Sequence, residues 1–516
     1  MKRFISVILV FVFLLSFAAC SGENAPAATA EPTLAPTEEP ADVSVTETAP
    51  VATETPAPTE IVTEAPTEAA PTEPAQGTPM PERHDENEVG LPRVIAGADV
   101  FFIVNSDASL CSWGNNAYGQ LGTGDTEDRY APVYVADGLT PVIVGDTVFA
   151  LSSDNILWGW GRNDLGQLGT GDTKNRTKPV ELMHFVKEVY KVGNSTYYAL
   201  TESGDLYTWG LYNADGTNGS FSPTLYSENV DGFYRCCIIK NGELWSLLGN
   251  GPKMADGIKR VFDIYGYFAE GTDGKLYNVS MSGNKTLICD SFRDVQISGF
   301  DSDTAYILME DGALYKYCID PYVDGNPDPE LNRLIYIMNG VVEIRADFMM
   351  DEDWGYSYAF ALKANGELWG WSEHSCSALV GRPEDDDSPE PACVATDVKS
   401  FVTNNTATYI IKNDGSVWAT GEGIEEDFIH CALGDGTAET RFGFVRLALD
   451  NIRAVTSLLN EVIVDYDDGT DGVLLYARTF AFDNDGRLFA WGWNGDGYLV
   501  KDGPADVLAP VEIVVK

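Results

Sequence analysis

The sequence predicts an all-β chain folded as a β-propeller, and three observations support this. One kernel recurs: an apolar strand, a tight turn ending in glycine, then a second strand reading apolar-aromatic-x-aromatic, as in FALKANGELWGW (360–371) and FAFDNDGRLFAWG (480–492). Aligned on Trp113, the kernels stand at 113, 160, 209, 247, 279, 317, 371, 420 and 491, in steps of 47, 49, 38, 32, 38, 54, 49 and 71 residues. A lone hairpin cannot bury both of its faces, so nine in a row must stack or close into a ring. Units of about 40–50 residues with short strands and a recurring tryptophan fit propeller blades.

In chain order, residues 1–20 come first. Lys2 and Arg3 precede a run from Phe4 to Leu15 that is apolar but for Ser6, too short to span a bilayer comfortably but suited to a secretory signal. The run ends in Phe17-Ala18-Ala19-Cys20, which resembles the lipobox of bacterial lipoproteins. That resemblance implies a diacylglyceryl group on the Cys20 thiol. The other reading is an ordinary signal with an incidental cysteine. Residues 21–90 hold Ala, Pro, Thr and Glu in short irregular patterns without aromatics, so nothing there offsets the entropy of ordering the chain. The expectation is a disordered stalk, extended at ~3.1 Å per residue, that carries residues 91–516 away from an anchor on the outer face of the cytoplasmic membrane, at or through the cell wall.

Within 91–516 the hairpins open with FIVNSDASLCSWG (102–114) and FALSSDNILWGWG (149–161), where Ala108 and Asn155 occupy the glycine position. The NG, DG and SG turns of later copies suit two-residue hairpins, whose central residues need positive φ. The short steps of 38, 32 and 38 residues suggest lean three-stranded blades. The first two hairpins run into WGNNAYGQLGTGDT (113–126) and WGRNDLGQLGTGDT (160–173). These runs lack the lysine of a phosphate-binding loop, place Asp125 and Asp172 where phosphate would be repelled, and continue into proline and strand rather than helix. They are connectors from the hairpin to the next strand of the same blade. The tryptophan is expected to wedge between blades, with the glycine after it relieving the crowding there.

WGxNxxGQLGxGD followed by P-V-x-V, preceded by a strand, turn and aromatic strand, resembles the repeat of the regulator of chromosome condensation family. The match is near-consensus at 113–135 and 160–182 and thins to the hairpin alone between about 231 and 343. It implies a propeller, usually of seven blades, whereas the count here is nine, so the expected range is seven to nine. The best-known members are nuclear exchange factors for a small GTPase. For an exported chain that role rests on family analogy alone.

The formal charge of −46 bounds the partners. Residues 91–516 hold 64 acids and 30 bases, a net −34 that repels phosphate backbones and anionic lipid. Nucleic acid is therefore excluded as a partner, and membrane contact is confined to lipid on Cys20. Histidines are few (His84, His184, His374, His430), and neither a zinc-binding histidine pair nor a GxSxG elbow is present. Cys376 and Cys393 bracket an acidic, proline-bearing loop and form the favoured disulfide pair. Asp465, Asp467, Asp468 and Asp471 crowd DYDDGTDG (465–472) as a candidate calcium site, with a flexible acidic loop as the bland reading. Surplus length falls at 318–343, 375–397 and 456–476, and surplus loops on a rigid ring are where binding usually resides. Trp354, Tyr356 and Tyr358, beside the acidic insertion 351–353, are candidate partner contacts, although aromatics near a strand are more often core. The reading that emerges is a surface-anchored, non-catalytic recognition propeller for a protein or glycan. The alternative is an extracellular carboxylate hydrolase or lyase acting on a wall polymer.

Overall fold

Every glycine-turn kernel of the sequence becomes the central hairpin of one four-stranded antiparallel blade, and nine such blades follow one another along the chain. The computed structural model describes residues 92–515 except 193–195, 211–218, 235–236, 248–251, 263–267, 280–282, 299–303, 320–331, 351–354, 374–376, 385, 387, 425–428 and 466–470. No helix occurs among the described residues. The blades span 93–137, 139–183, 186–227, 230–256, 258–289, 294–338, 341–395, 398–446 and 452–513 and are numbered 1 to 9 here, with strands A to D in chain order within each. A strands of neighbouring blades approach one another, while D strands carry much of the exposed apolar surface, such as Tyr134, Leu225 and Tyr336. Strand A therefore lines the axis and strand D the rim.

The blade number is nine, larger than the seven usual for the resembling family. The lean units are not three-stranded. Blades 4 and 5 keep all four strands by shortening each to four or five residues. The turns also differ from expectation. Only blade 4 has a two-residue turn, with Lys240 paired to Glu243 and both Asn241 (φ 53°) and Gly242 (φ 72°) left-handed. The others are three-residue turns with a single left-handed residue at the third position, as where Gly204 N–H donates to Thr201 C=O and Thr201 N–H to Asp205 C=O. Ala108 (φ 64°) and Asn155 (φ 59°) take that conformation without being glycine.

The glycine-rich connectors join C to D. Asn116 lies fully buried in the first, its Nδ2 donating to Asp125 C=O (3.1 Å) and Glu127 C=O (3.0 Å) while its Oδ1 accepts Leu121 N–H (2.9 Å). Asn163 repeats the pattern with Asp172, Lys174 and Leu168. Asp125 and Asp172 pair with Arg129 and Arg176 across the same loop. The run is structural, and its LG step seats the next blade: Trp160 Nε1 donates to Gln120 C=O (2.8 Å) and Trp209 Nε1 to Gln167 C=O (2.7 Å). A Cβ on Gly169 would stand 3.0 Å from the Trp209 ring. The glycine that follows the tryptophan has a different role from the one expected. A Cβ on Gly161 would meet Asp146 O of its own blade at 2.2 Å, so the tightest approach is within the blade, with Gln120 of the preceding blade at 3.2 Å.

Blades are also clipped through the backbone. The first N–H of strand A donates to the B–C turn of the preceding blade in Val186 to Asn155, Val230 to Gly204, Ile258 to Gly242, Val341 to Gly312, Val398 to Gly366 and Ile452 to Gly415, at 2.8–3.0 Å. The B–C turns and the blade-to-blade links thus share one face, and the A–B and C–D connections share the other. Blade 9 closes on blade 1 without exchanging a strand, because all four strands of each come from one end of the chain. Side chains make this seam: Phe480 packs on Phe101 and Trp113, Tyr498 donates to Asp128, and buried Arg478 reaches Ala98 C=O and Asp496.

Candidate functional site

Alternating strands of four to seven residues build the A–B hairpins of blades 1 to 6 and blade 8. Blades 7 and 9 depart from this. Their A–B strands run ten and nine residues (Val341–Met350, Gly355–Lys363) and fourteen and thirteen residues (Ile452–Asp465, Asp471–Asp483). Both pairs stay in register to their tips, with Met350 opposite Gly355 and Asp465 opposite Asp471. The C–D connections of blades 7 and 8, 374–391 and 422–440, emerge on the same face and are the longest of their kind. From the latter, Ile429–His430 pairs parallel to the outer edge of the blade 9 hairpin at Leu475 and Tyr476. The elaboration of the ring is thus gathered on one face over blades 7 to 9, while the opposite face carries uniform short turns.

A cleft of about 530 Å³ opens in this sector, between the two long hairpins and above the short A–B turn of blade 8. Its walls are Asp347 from blade 7 and the run Ser457–Asn460 from blade 9, and its floor is Thr403–Asn405. Asn404 fixes the floor. Its Oδ1 accepts Ala407 N–H (2.8 Å), and its Nδ2 donates to Ser457 Oγ (2.7 Å), which bonds Thr479 Oγ1 at 2.7 Å. Thr479 and the wedge Trp491 both meet the Tyr409 hydroxyl at 3.3 Å, so a buried polar chain ties the cleft to the blade 8–9 interface. Burial pushes the Tyr409 phenol up to about 12, so it stays a neutral hydroxyl in that chain. Asn405 holds the left-handed conformation (φ 66°) that asparagine tolerates. Asn460 Nδ2 is buried without a hydrogen-bond partner.

None of the described residues singled out from sequence is among those lining this cleft. Tyr358 is core at 1% exposure, and its hydroxyl donates to Asn405 Oδ1 at 2.6 Å, so it shapes the floor from behind instead of offering a contact surface. Tyr356 lies opposite Met349 on the blade 7 hairpin, and Trp354 lies outside the described residues. Asp465 and Asp471 face each other at the blade 9 tip, while Asp467 and Asp468 lie outside the described residues. Among the described residues no three His, Cys, Asp or Glu side chains gather as a metal site. Cys393 is exposed on strand D of blade 7, 3.5 Å from Ala395 C=O, and Cys376 and Cys20 lie outside the described residues. Among the described residues, Asp347 is the one carboxylate that lines the cleft. Asp99, whose carboxyl is pushed up by burial, sits instead at the closing seam near Arg478.

The 456–476 surplus is legible in the sequence, whereas the floor is not. Asn404 and Asn405 sit in a turn of ordinary length, and the only local signal was the paired asparagines of TNNT (403–406).

Residues 107–143 and 154–200 match the profile of the Regulator of chromosome condensation (RCC1) repeat. Each matched unit starts at a B–C turn and runs into the next blade, so the sequence repeat is staggered from the blade it builds. Among solved structures, the chain is similar to yeast RCC1 (Prp20), determined with Kap60 bound, at 16% identity over 86% of this chain and 91% of that one, with a TM-score of 0.39. Prp20p from Saccharomyces cerevisiae, studied for its binding to Gsp1p and histones, is similar at 16% identity over 84% and 90%, with a TM-score of 0.39. Human WBSCR16 is similar at 16% identity over 79% and 94%, with a TM-score of 0.37.

Proposed function

We propose that this chain of RCC1-type repeats is a non-catalytic recognition module that binds a protein partner through the elaborated face of blades 7 to 9. One observation carries the reading: the long hairpins and long connections converge on a single sector of a single face, around a polar cleft. A rigid ring with irregular loops on one side is a scaffold for binding. The anchor is lipid on Cys20 and the stalk is 21–90, which together place the propeller at a bacterial cell surface. Strand A of blade 1 starts on the plain face, opposite the proposed binding face.

The test is capture by the full-length chain from secreted proteins and wall fragments, beside a variant in which 461–475 is replaced by Asn-Gly. One saturable protein, retained by the intact chain and lost with the trimmed hairpin, is the expected outcome. Equal retention by both forms, or a wall polymer that shortens without being retained, sinks the reading. Cys20→Ser is expected to move the chain from the membrane fraction into the medium; a variant that stays with the membrane removes the lipid anchor from the account.

A further inference from the structure

We infer that the cleft takes an extended segment of the partner's chain, added as a strand along the free edge of Ile452–Asp465. This rests on the recognition reading above and names how the partner is held. Side chains of a strand alternate between its two faces, yet four consecutive residues, Ser457 to Asn460, line the cleft. The cleft therefore looks onto the edge of the strand, where main-chain N–H and C=O groups point. Among the described residues Ile452–Asp465 forms a hydrogen-bonded ladder only with Asp471–Asp483, so its other edge carries no ladder. An unpaired edge fourteen residues long is a template for strand addition unless something covers it.

In blade 8 the floor turn stops short. Asn404 bonds the Ser457 side chain, and Leu458 to Asn460 beyond it line the open cleft. Asn460 Nδ2, buried and without an acceptor, supplies a donor for an incoming carbonyl. The partner segment is basic rather than acidic, because Asp347 forms the facing wall and residues 91–516 carry 64 acids against 30 bases.

The probe is a phage library of linear ten-residue peptides, selected on the full-length chain and depleted on the 461–475 trimmed variant. The selected peptides are expected to alternate apolar and polar residues and to carry lysine or arginine. N-methylation of successive amides in one such peptide is expected to weaken binding about tenfold or more at every second residue, since only alternate N–H groups face the neighbouring strand. For the same reason, of Leu459 and Asn460 one N–H points inward and the other to the free edge. Of Leu459→Pro and Asn460→Pro, the variant that keeps its melting temperature should lose the peptides. Loss without alternation, tolerance of N-methylation throughout, or selection only of wall oligosaccharides in a parallel glycan screen would overturn strand addition. If partner capture still depends on the 461–475 hairpin in that case, recognition by this face stands and only the strand geometry fails.

Discussion

At Asn163 one buried amide satisfies a whole loop, and the identity of the side chain matters more there than its size. Only a group with both donor and acceptor can accept Leu168 N–H and donate to two carbonyls nine and eleven residues ahead. Asn163→Ala leaves those groups buried and unpaired. It should cost about 2–4 kcal/mol, read as a lower urea midpoint with the slope unchanged. Ala108 is the opposite case, a β-carbon held at φ 64° for want of a glycine. Ala108→Gly should stabilise by about 0.5–1 kcal/mol, the left-handed penalty outweighing the added chain entropy, and a midpoint that falls would contradict this. Asp172 gives the acid dependence. Arg176, with the Lys174 N–H, holds its carboxyl at about 2 against an ordinary 3.8. A depressed carboxyl stabilises fully above its unfolded value and loses that contribution as pH falls toward its folded one. The melting temperature should therefore drop between pH 5 and pH 2 by more in the wild type than in Asp172→Asn.

Hairpins and links make up the next scale, and here the sequence was most readable. Each B–C hairpin is local, so strand period and turn chemistry located all nine, including the worn copy at 267–279. What failed was what the turn letters do not encode. NG, DG and SG serve three-residue turns as readily as two-residue ones, and a four-residue D strand such as Lys253–Asp256 leaves no periodicity to read. The cleft was illegible for a different reason: Asn404 and Ser457 meet across 53 residues, and no local pattern records that meeting. Links between blades show the same economy of signal. The residue before strand A is left-handed at Gly138, Asn229, Gly257, Gly340, Asp397 and Asn451, all types that tolerate it, but also at Phe185 (φ 58°), whose ring is 54% exposed. Phe185→Asn should keep the Val186-to-Asn155 clip and gain about 1 kcal/mol, measured by thermal melting; a loss would show that the exposed ring is packed in a way its exposure hides.

Across the whole molecule the ring is continuous in its core but interrupted in its backbone. Eight of its nine interfaces are spanned by the chain itself, and the ninth is held by side chains alone. Arg478 is the centre of that seam, fully buried, paired with Asp496, donating to Trp493 C=O at 3.0 Å and lying over the Phe101 and Trp493 rings. Arg478→Leu strands the Asp496 carboxylate and should cost about 3–5 kcal/mol, and a near-neutral result would mean that aromatic packing alone holds the seam. Arg453 also donates to Pro92 C=O at 2.9 Å, so the described chain enters strand A of blade 1 beside this joint. A pull between Pro92 and blades 7 to 9 therefore loads the one blade interface with no covalent link across it. Under tension the circle would spring open as a split washer does, lengthening by a small reversible step before any blade is torn apart. An optical-trap trace showing that step, and showing it at lower force in Arg478→Leu, would make this ring a force-yielding coupling.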